Sequence, residues 1–209
     1  MSAAGDVAAV LLAAGGGTRF ADGSKLLASL HGRPLLAWAV EPVLEAGLPL
    51  VVVQGATDLG PALARWRAQI VVVENPRWAE GQASSLATAL AWCDEAGVDA
   101  AVVGLGDQPM VPASAWADVA RAEGAPIVCA RFAGRRRPPV RLARAAWPLV
   151  SPVGDEGARE LMRRRPDLVA EVACEGDPVD VDTVDDLLRL ERAGDRPHGP
   201  GSPEAERGR

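Results

Sequence analysis

Apolar residues recur along this chain in short unbroken blocks, and each block is followed by a stretch with helical spacing. Val7–Ala13, Pro49–Val53, Ile70–Glu74, Ala100–Gly104 and Pro126–Ala130 are apolar at successive positions, which predicts strands covered on both faces rather than half-exposed ones. Between them, Leu35–Ala46 places Leu36, Ala39, Val40 and Val43 on one helical face and stops at Gly47. A helix from the Asp58 cap to about Arg67, another over Gln82–Ala96 with Leu86, Leu90 and Cys93 inward, and a third over Ala113–Glu123 continue the rhythm. The alternation predicts an α/β fold, a doubly wound and mostly parallel sheet with helices on both faces. Ligands of such folds sit at the carboxyl ends of the strands.

The rhythm changes at Arg131. Residues 131–142 read as two short strands joined by an arginine-rich turn, a small β-hairpin insertion, and Ala143–Val150 as a short helical piece. Gly154-Asp155-Glu156-Gly157 leads into a helix over Ala158–Arg165, closed by Pro166. Val169–Cys174 and Val179–Val181 read as short strands, and Thr183 opens a helix with Asp185 and Asp186 at its positive end. These elements predict one domain over residues 1–192. Residues 193–209 are rich in glycine, proline and charge and are expected to be disordered.

One place breaks the pattern conspicuously. The first strand ends in Gly15-Gly16-Gly17, and the chain stays polar through Thr18, Arg19 and Asp22 to Lys25 before turning apolar at Leu26. Glycines let a backbone approach a ligand closely, and successive N–H groups in such a loop form an anion-binding concavity. Lys25 is the only lysine among 209 residues. A compact ammonium is not interchangeable with arginine at a phosphate site, so the loop reads as a polyphosphate cradle. A Rossmann dinucleotide loop would carry G-x-G-x-x-G; here Gly15-Gly16-Gly17 is followed by Thr18-Arg19-Phe20, and the third glycine is missing.

Composition narrows the partners. A net charge of -6 disfavours nucleic acid and acidic membrane surfaces, and the clusters Arg135–Arg137 and Arg163–Arg165 are short and lack interleaved aromatics. Cys93, Cys129 and Cys174 form no CxxC pair and read as buried free thiols. No basic leader precedes the first apolar stretch, which is too short to span a bilayer; a soluble cytoplasmic protein is expected.

Two carboxylates could complete a phosphate site. Asp107 follows the Ala100–Gly104 strand in Gly106-Asp107-Gln108-Pro109, a position suited to a divalent metal shared with substrate phosphates and equally to a plain turn. Asp182, in Val179-Asp180-Val181-Asp182-Thr183, shares a strand face with Asp180; by itself it slightly favours capping the next helix. Together with the glycine loop, the two favour a nucleotide–metal site. Gly81, Ser84 and Ser85 open a helix, where free N–H groups suit a nucleoside or simple capping. Trp78 nearby suits base stacking or packing.

Four motifs in this order carry a resemblance. Leu12-Ala13-Ala14-Gly15-x-Gly17-x-Arg19-Phe20 with Lys25-Leu26-Leu27 resembles the signature of the MobA-like nucleotidyltransferases. Gly104-x-Gly106-Asp107-Gln108-Pro109, Gly154-Asp155-Glu156-Gly157-Ala158-Arg159 and Asp180-x-Asp182-Thr183-x-x-Asp186-Leu187 resemble the branch that transfers CMP to molybdopterin, the molybdenum cofactor cytidylyltransferases. The likeness spans Val7 to Arg192 and implies a Rossmann-like nucleotidyltransferase fold.

It further implies that Leu12, Ala13, Ala14, Gly15 and Gly17 contact the nucleotide, with Ala13-Ala14-Gly15 similar to CTP-using members. Arg19 and Lys25 would hold the triphosphate, Gly81 and Ser85 would place the nucleoside, and Asp107 and Asp182 would hold Mg2+ (or Mn2+). Arg19, Lys25 and Asp107 would be catalytic. The partners implied are an NTP, a molybdopterin-type acceptor, and a molybdoenzyme or its chaperone. One departure stands out: where the family carries Gly-His-Pro facing the acceptor, this chain has Arg137-Pro138-Pro139. Arg135–Arg137 then either grip an anionic acceptor or form a solvated turn. The expected activity is transfer of CMP from CTP to molybdopterin with release of pyrophosphate. Alternatives are transfer to another phosphate or alcohol acceptor, an NAD(P)-dependent oxidoreductase, and a non-catalytic cofactor-binding chaperone.

Overall fold

The computed structural model of the protein describes residues 6–17, 20 and 24–193. The tail expected to be disordered, apart from Ala193, and Arg19 of the glycine loop lie outside these residues.

Strands β1 (Val7–Ala13), β4 (Leu50–Gln54), β5 (Ile70–Glu74), β6 (Ala100–Leu105), β7 (Ile127–Phe132), β8 (Arg135–Ala143) and β9 (Val169–Ala173) form one sheet. Their spatial order is β5-β4-β1-β6-β8-β7-β9. A separate two-stranded ribbon joins β2 (Ser29–Leu30) to β3 (Arg33–Pro34). β1, β4, β5 and β6 run parallel to one another, and β9 runs parallel to β7. Only β8 is antiparallel to both its neighbours. The mostly parallel, doubly wound sheet is therefore as expected, with β8 wedged into it.

Strand order reverses between β1 and β6: β4 and β5 lie beyond β1 on one side, and β8, β7 and β9 lie beyond β6 on the other, with a crevice at the carboxyl ends of the two strands. This crevice is where open α/β sheets bind ligands, and it sets the glycine loop beside Asp107.

Helices α1 (Leu35–Glu45), α2 (Gly60–Leu63) and α4 (Ala113–Arg121) cover one face through Leu36, Val40, Leu63, Trp116 and Val119. α3 (Gln82–Glu95) and α5 (Ala158–Arg164) cover the other through Leu86, Leu90, Cys93, Leu161 and Met162. α6 (Val184–Ala193) packs Leu187 with Leu30, Leu35, Trp38 and Val181 in a smaller third cluster. Burial at about 25 cal/mol per Å2 of apolar surface makes the two main layers the chief stabilising term. No described helix is long and apolar enough to cross a membrane.

Four expectations change. Val71 and Val72 are 40% and 41% exposed because β5 is the sheet edge, so one flank of that strand has no neighbour. The helix expected from Asp58 to Arg67 is only α2 followed by a 3-10 turn over Ala64–Trp66, and Asp58 turns the chain by accepting from the Gly60 N–H at 2.8 Å. The short helical piece expected over Ala143–Val150 is present as a 3-10 helix over Arg144–Leu149. The arginines 135–137 belong to β8 itself, and the turn is Ala133-Gly134. Pro138 and Pro139 sit where the β7–β8 register shifts, bulging out because proline has no N–H for the ladder. Finally, Val179–Val181 is no strand: it runs past the end of β6 and makes a single backbone bond, Val181 N–H to the Asp107 carbonyl at 3.0 Å.

Candidate functional site

A cleft of about 700 Å³ opens at the carboxyl ends of β1 and β6. Its walls include Leu12, Ala13, Ala14, Gly15, Gly16, Gly17, Lys25, Gly81, Ser85, Asp107 and Asp182, so the described residues picked from the sequence converge on one place. Arg19 lies outside the described residues. Trp78, Gln82, Asp155, Arg159 and Asp180 also line the cleft. The sequence offers Trp78 for base stacking or packing; Gln82, Asp155, Arg159 and Asp180 lie in segments it singles out but gives no role in this site.

The glycine loop folds as it does because Gly17 adopts φ +54 and a Cβ there would stand 3.0 Å from the Lys25 backbone nitrogen. The loop thus closes on the 3-10 turn Lys25–Leu27, which points the lysine back into the cleft. Trp78 lies across the loop, its ring 3.3 Å from where a Cβ on Gly16 would be and its Cβ 2.6 Å from one on Gly55. It packs under the loop and also borders the cleft.

Lys25 Nζ lies 2.6 Å from Asp107 Oδ2 and 3.0 Å from Asp182 Oδ1. One ammonium therefore bridges carboxylates 75 positions apart in sequence (182 − 107). Burial tends to lower the Lys25 pKa, but the adjoining charge of Asp107, its hydrogen bond and then Asp182 outweigh it and leave the pKa raised. The second oxygen of Asp107 is buried without a hydrogen-bond partner. A buried carboxylate oxygen left unpaired is costly. Asp107 itself lines the polyphosphate-sized cleft, so this oxygen keeps lone pairs beside it that no donor among the described residues uses.

The sequence allows Asp182 either to cap the next helix or to ligate a cation. The cap is supplied by its neighbours: Thr183 Oγ1 accepts from the Asp186 N–H at 3.2 Å, and Asp186 Oδ2 accepts from the Thr183 N–H at 2.9 Å. This is a reciprocal capping box, and it leaves the Asp182 carboxylate to face Lys25. The Asp186 carboxyl is correspondingly held below its usual range, first by the Thr183 hydroxyl.

Asp180 is fixed by Gln108, whose Nε2 donates to Asp180 Oδ1 at 2.8 Å. Burial, and then the nearby charge of Asp107, push its carboxyl upward. Among the described residues no three acidic, histidine or cysteine side chains cluster into a metal cage. Two carboxylates with one orphaned oxygen fit a hard divalent cation that takes its remaining ligands from phosphate and water, as Mg2+ does.

On the far wall, Asn75 is fully buried and its Nδ2 donates to Ser84 Oγ at 2.9 Å and Ser85 Oγ at 3.0 Å. This network fixes the start of α3, where Gly81 adopts φ +104. A Cβ on Gly81 would strike Asp155 and stand 2.7 Å from the Gly154 carbonyl. That carbonyl also accepts from the Ala83 N–H at 3.0 Å, stitching the 154–157 loop to the helix start.

Comparisons with known proteins agree with this architecture. A curated protein from Paenarthrobacter nicotinovorans, nicotine blue oxidoreductase, is 30% identical over 199 residues, covering 88% of this chain and 96% of its own. The solved structure of Rv0371C from Mycobacterium tuberculosis H37Rv in complex with manganese is 29% identical with a TM-score of 0.70, covering 90% of this chain and 99% of its own. A nucleotidyl transferase from Methanothermobacter shares the fold at a TM-score of 0.74 and 24% identity, over 90% of this chain and 97% of that one. The sequence profile of the MobA-like NTP transferase domain matches residues 9–169, which hold the glycine loop, Lys25 and Asp107. This chain therefore belongs to the MobA-like NTP transferase family and is, by family and fold, a nucleotidyltransferase.

Proposed function

We propose that the protein transfers CMP from CTP to the terminal phosphate of a molybdopterin-type acceptor, with Mg2+ or Mn2+ as cofactor. The observation that carries the reading is the Asp107–Lys25–Asp182 cluster at the mouth of the glycine loop. Ala13-Ala14-Gly15 supports cytidine over guanosine, and the four ordered motifs support the molybdopterin branch. A divalent cation held by Asp107 and Asp182 would neutralise phosphate charge and bring nucleotide and acceptor together.

The remaining work falls to the chain. The backbone of residues 12–17 holds base, ribose and phosphates, while Gly81 and Ser85 limit where the nucleoside can sit. An acceptor phosphate oxygen bonds to the α-phosphorus of CTP and the α–β bridging P–O bond breaks. Pyrophosphate leaves with the electron pair, and no proton need move if the acceptor is a dianion. The job is therefore positioning and charge stabilisation rather than acid–base catalysis. Lys25 turns from the carboxylates to the triphosphate and stabilises the charge that grows as pyrophosphate departs; Arg19 is proposed to assist.

The test is a panel of CTP, GTP, ATP and UTP with Mg2+ and molybdopterin, reading pyrophosphate. CTP-dependent release that is abolished by Asp107→Ala, with the fold intact by circular dichroism, is expected. The oxidoreductase name of the Paenarthrobacter relative favours a second reading, hydride transfer from a nicotinamide nucleotide in the same cleft. No pyrophosphate from any nucleotide, with NADPH raising the Tm more than Mg2+ and CTP do, would sink transfer in its favour.

A further inference from the structure

Asn75 follows β5 and is fully buried, and every polar group it carries is used. Its backbone N–H donates to the Gln54 carbonyl at 2.8 Å, and its carbonyl accepts from the Trp78 N–H at 3.3 Å. In the side chain, Oδ1 accepts from the Arg77 N–H at 3.0 Å. A backbone N–H can only donate, so this one contact fixes which way round the amide lies. Nδ2 must then face Ser84 and Ser85, and it spends its two protons on their hydroxyl oxygens, at 2.9 Å and 3.0 Å.

Both hydroxyls are thereby acceptors, and each has one proton left to place. Ser84 gives its proton to the carbonyls of Gly81 at 2.8 Å and Arg77 at 2.9 Å. Ser85 has no such outlet. A helical serine can return its proton to the carbonyl one turn back. For Ser85 that carbonyl belongs to Gly81, which already accepts from the Ser84 hydroxyl and from the Ser84 N–H at 3.2 Å. Among the described residues no acceptor meets the Ser85 hydroxyl, although the residue is only 4% exposed and borders the nucleotide cleft. Its proton is left for whatever occupies the cleft. A ligand that meets such a donor gains, and one that opposes it with a donor of its own loses.

We propose that Asn75 is a positioning residue for nucleotide selection: through Ser85 it presents the nucleoside with a donor and never an acceptor. The nucleoside has to offer an oxygen acceptor at this wall, a base carbonyl or a sugar oxygen, and one that turns an amino group to Ser85 is rejected. The assignment rests on the transfer reading and deepens it, since Ser85 is where that reading sets the nucleoside. The direction of the hydroxyl does the selecting, and that direction originates in the Arg77 N–H, which Asn75 relays.

Calorimetric titration of the full chain with Mg2+ tests it by comparing CTP with 2-thio-CTP, whose sulfur is a poor acceptor, and with 2′-deoxy-CTP and 3′-deoxy-CTP. One of the analogues is expected to bind about tenfold more weakly than CTP; the thio compound marks the base carbonyl and a deoxy compound the sugar. Ser85→Ala is expected to lose that discrimination by weakening CTP alone. Asn75→Asp keeps an acceptor for the Arg77 N–H but draws both serine protons toward itself, and is expected to lose the discrimination in the same way. Merely loosening the wall would instead weaken all four ligands alike. Ser84→Ala leaves Nδ2 facing Ser85 and is expected to keep the discrimination. If Asn75→Asp does not fold, Asn75→Ala leaves Ser85 free to turn and is expected to cut the discrimination to about threefold or less. Equal binding of all four nucleotides by the parent, or full discrimination in the folded Asn75 variant, would overturn the proposal. The pyrophosphate panel stays a separate readout. Its failure with every nucleotide removes the transfer reading and this assignment with it, whereas CTP-dependent release without discrimination among the analogues removes only the assignment.

Discussion

Lys25 occupies the place that a cation-dependent site would give to a metal. Its ammonium sits 2.6 Å from Asp107 and 3.0 Å from Asp182 and cancels one of their two negative charges. Removing it leaves two facing carboxylates with no counter-charge, and like charges so placed favour a divalent cation. Lys25→Met is therefore expected to tighten Mn2+ binding to the nucleotide-free protein about tenfold while weakening CTP. Electron paramagnetic resonance of free Mn2+ and the CTP-dependent Tm shift read the two halves. Unchanged Mn2+ affinity would show that these carboxylates do not form the cation site. The residue was legible as the sole lysine in a glycine loop. That it bridges two distant aspartates was not, because sequence spacing carries no information on a contact across 157 positions.

The loops around the cleft depend on each other more than the strands beneath them do. The Gly154 carbonyl accepts from Ala83, and Asp155 sits where a Gly81 side chain would go, so the helix start and the 154–157 loop are one unit. Gly81→Ala meets both a left-handed backbone at φ +104 and a carbonyl 2.7 Å away. A loss of roughly 1–3 kcal/mol is expected, together with weaker CTP binding as the wall shifts. Thermal melts with and without Mg2+ and CTP measure both, and a parent-like Tm would show the loop is free to yield. At this scale the sequence was read well where periodicity was long, as in α1 and α3. It was read poorly where hydrogen bonds rather than pattern decide, as at Val179–Val181 and the truncated α2. The capping of α6 belongs with these: Thr183 and Asp186 satisfy each other, so the carboxylate at Asp182 is left to face Lys25.

Across the whole molecule, two apolar layers press on one sheet, and two thiols are buried deep in the layer under α3 and α5. Burial pushes Cys93 and Cys129 up to about 11, against a smaller opposing pull from Arg144 on the first and Arg136 on the second. A group whose folded pKa lies above its unfolded value contributes stability that is complete below the unfolded pKa, 9.0 here, and is lost as pH rises through the folded one. Each thiol is expected to cost on the order of 1 kcal/mol by pH 10. The Lys25 ion pairs give way only above the ordinary lysine value of 10.5. Melting between pH 8 and pH 10 should show a decline that Cys93→Ala with Cys129→Ala makes shallower. An unchanged slope would show that the thiols already ionise in the folded state.

Hydrophobic pattern alone determined the alternation of strands and helices, the buried parallel sheet and the placing of a glycine loop at a strand end. Those are local consequences of which positions are apolar and which backbone angles glycine permits. Tertiary structure decided what depends on bringing distant segments together. It inserted β8 antiparallel beside β6, which puts Arg137 on the lining of a second cavity instead of in a solvated turn. It also paired one oxygen of Asp107 with Lys25, which reaches Asp182 as well, and left the other oxygen buried without a partner. A carboxylate's role follows from its neighbours in space, and for Asp107 those neighbours come from both ends of the chain.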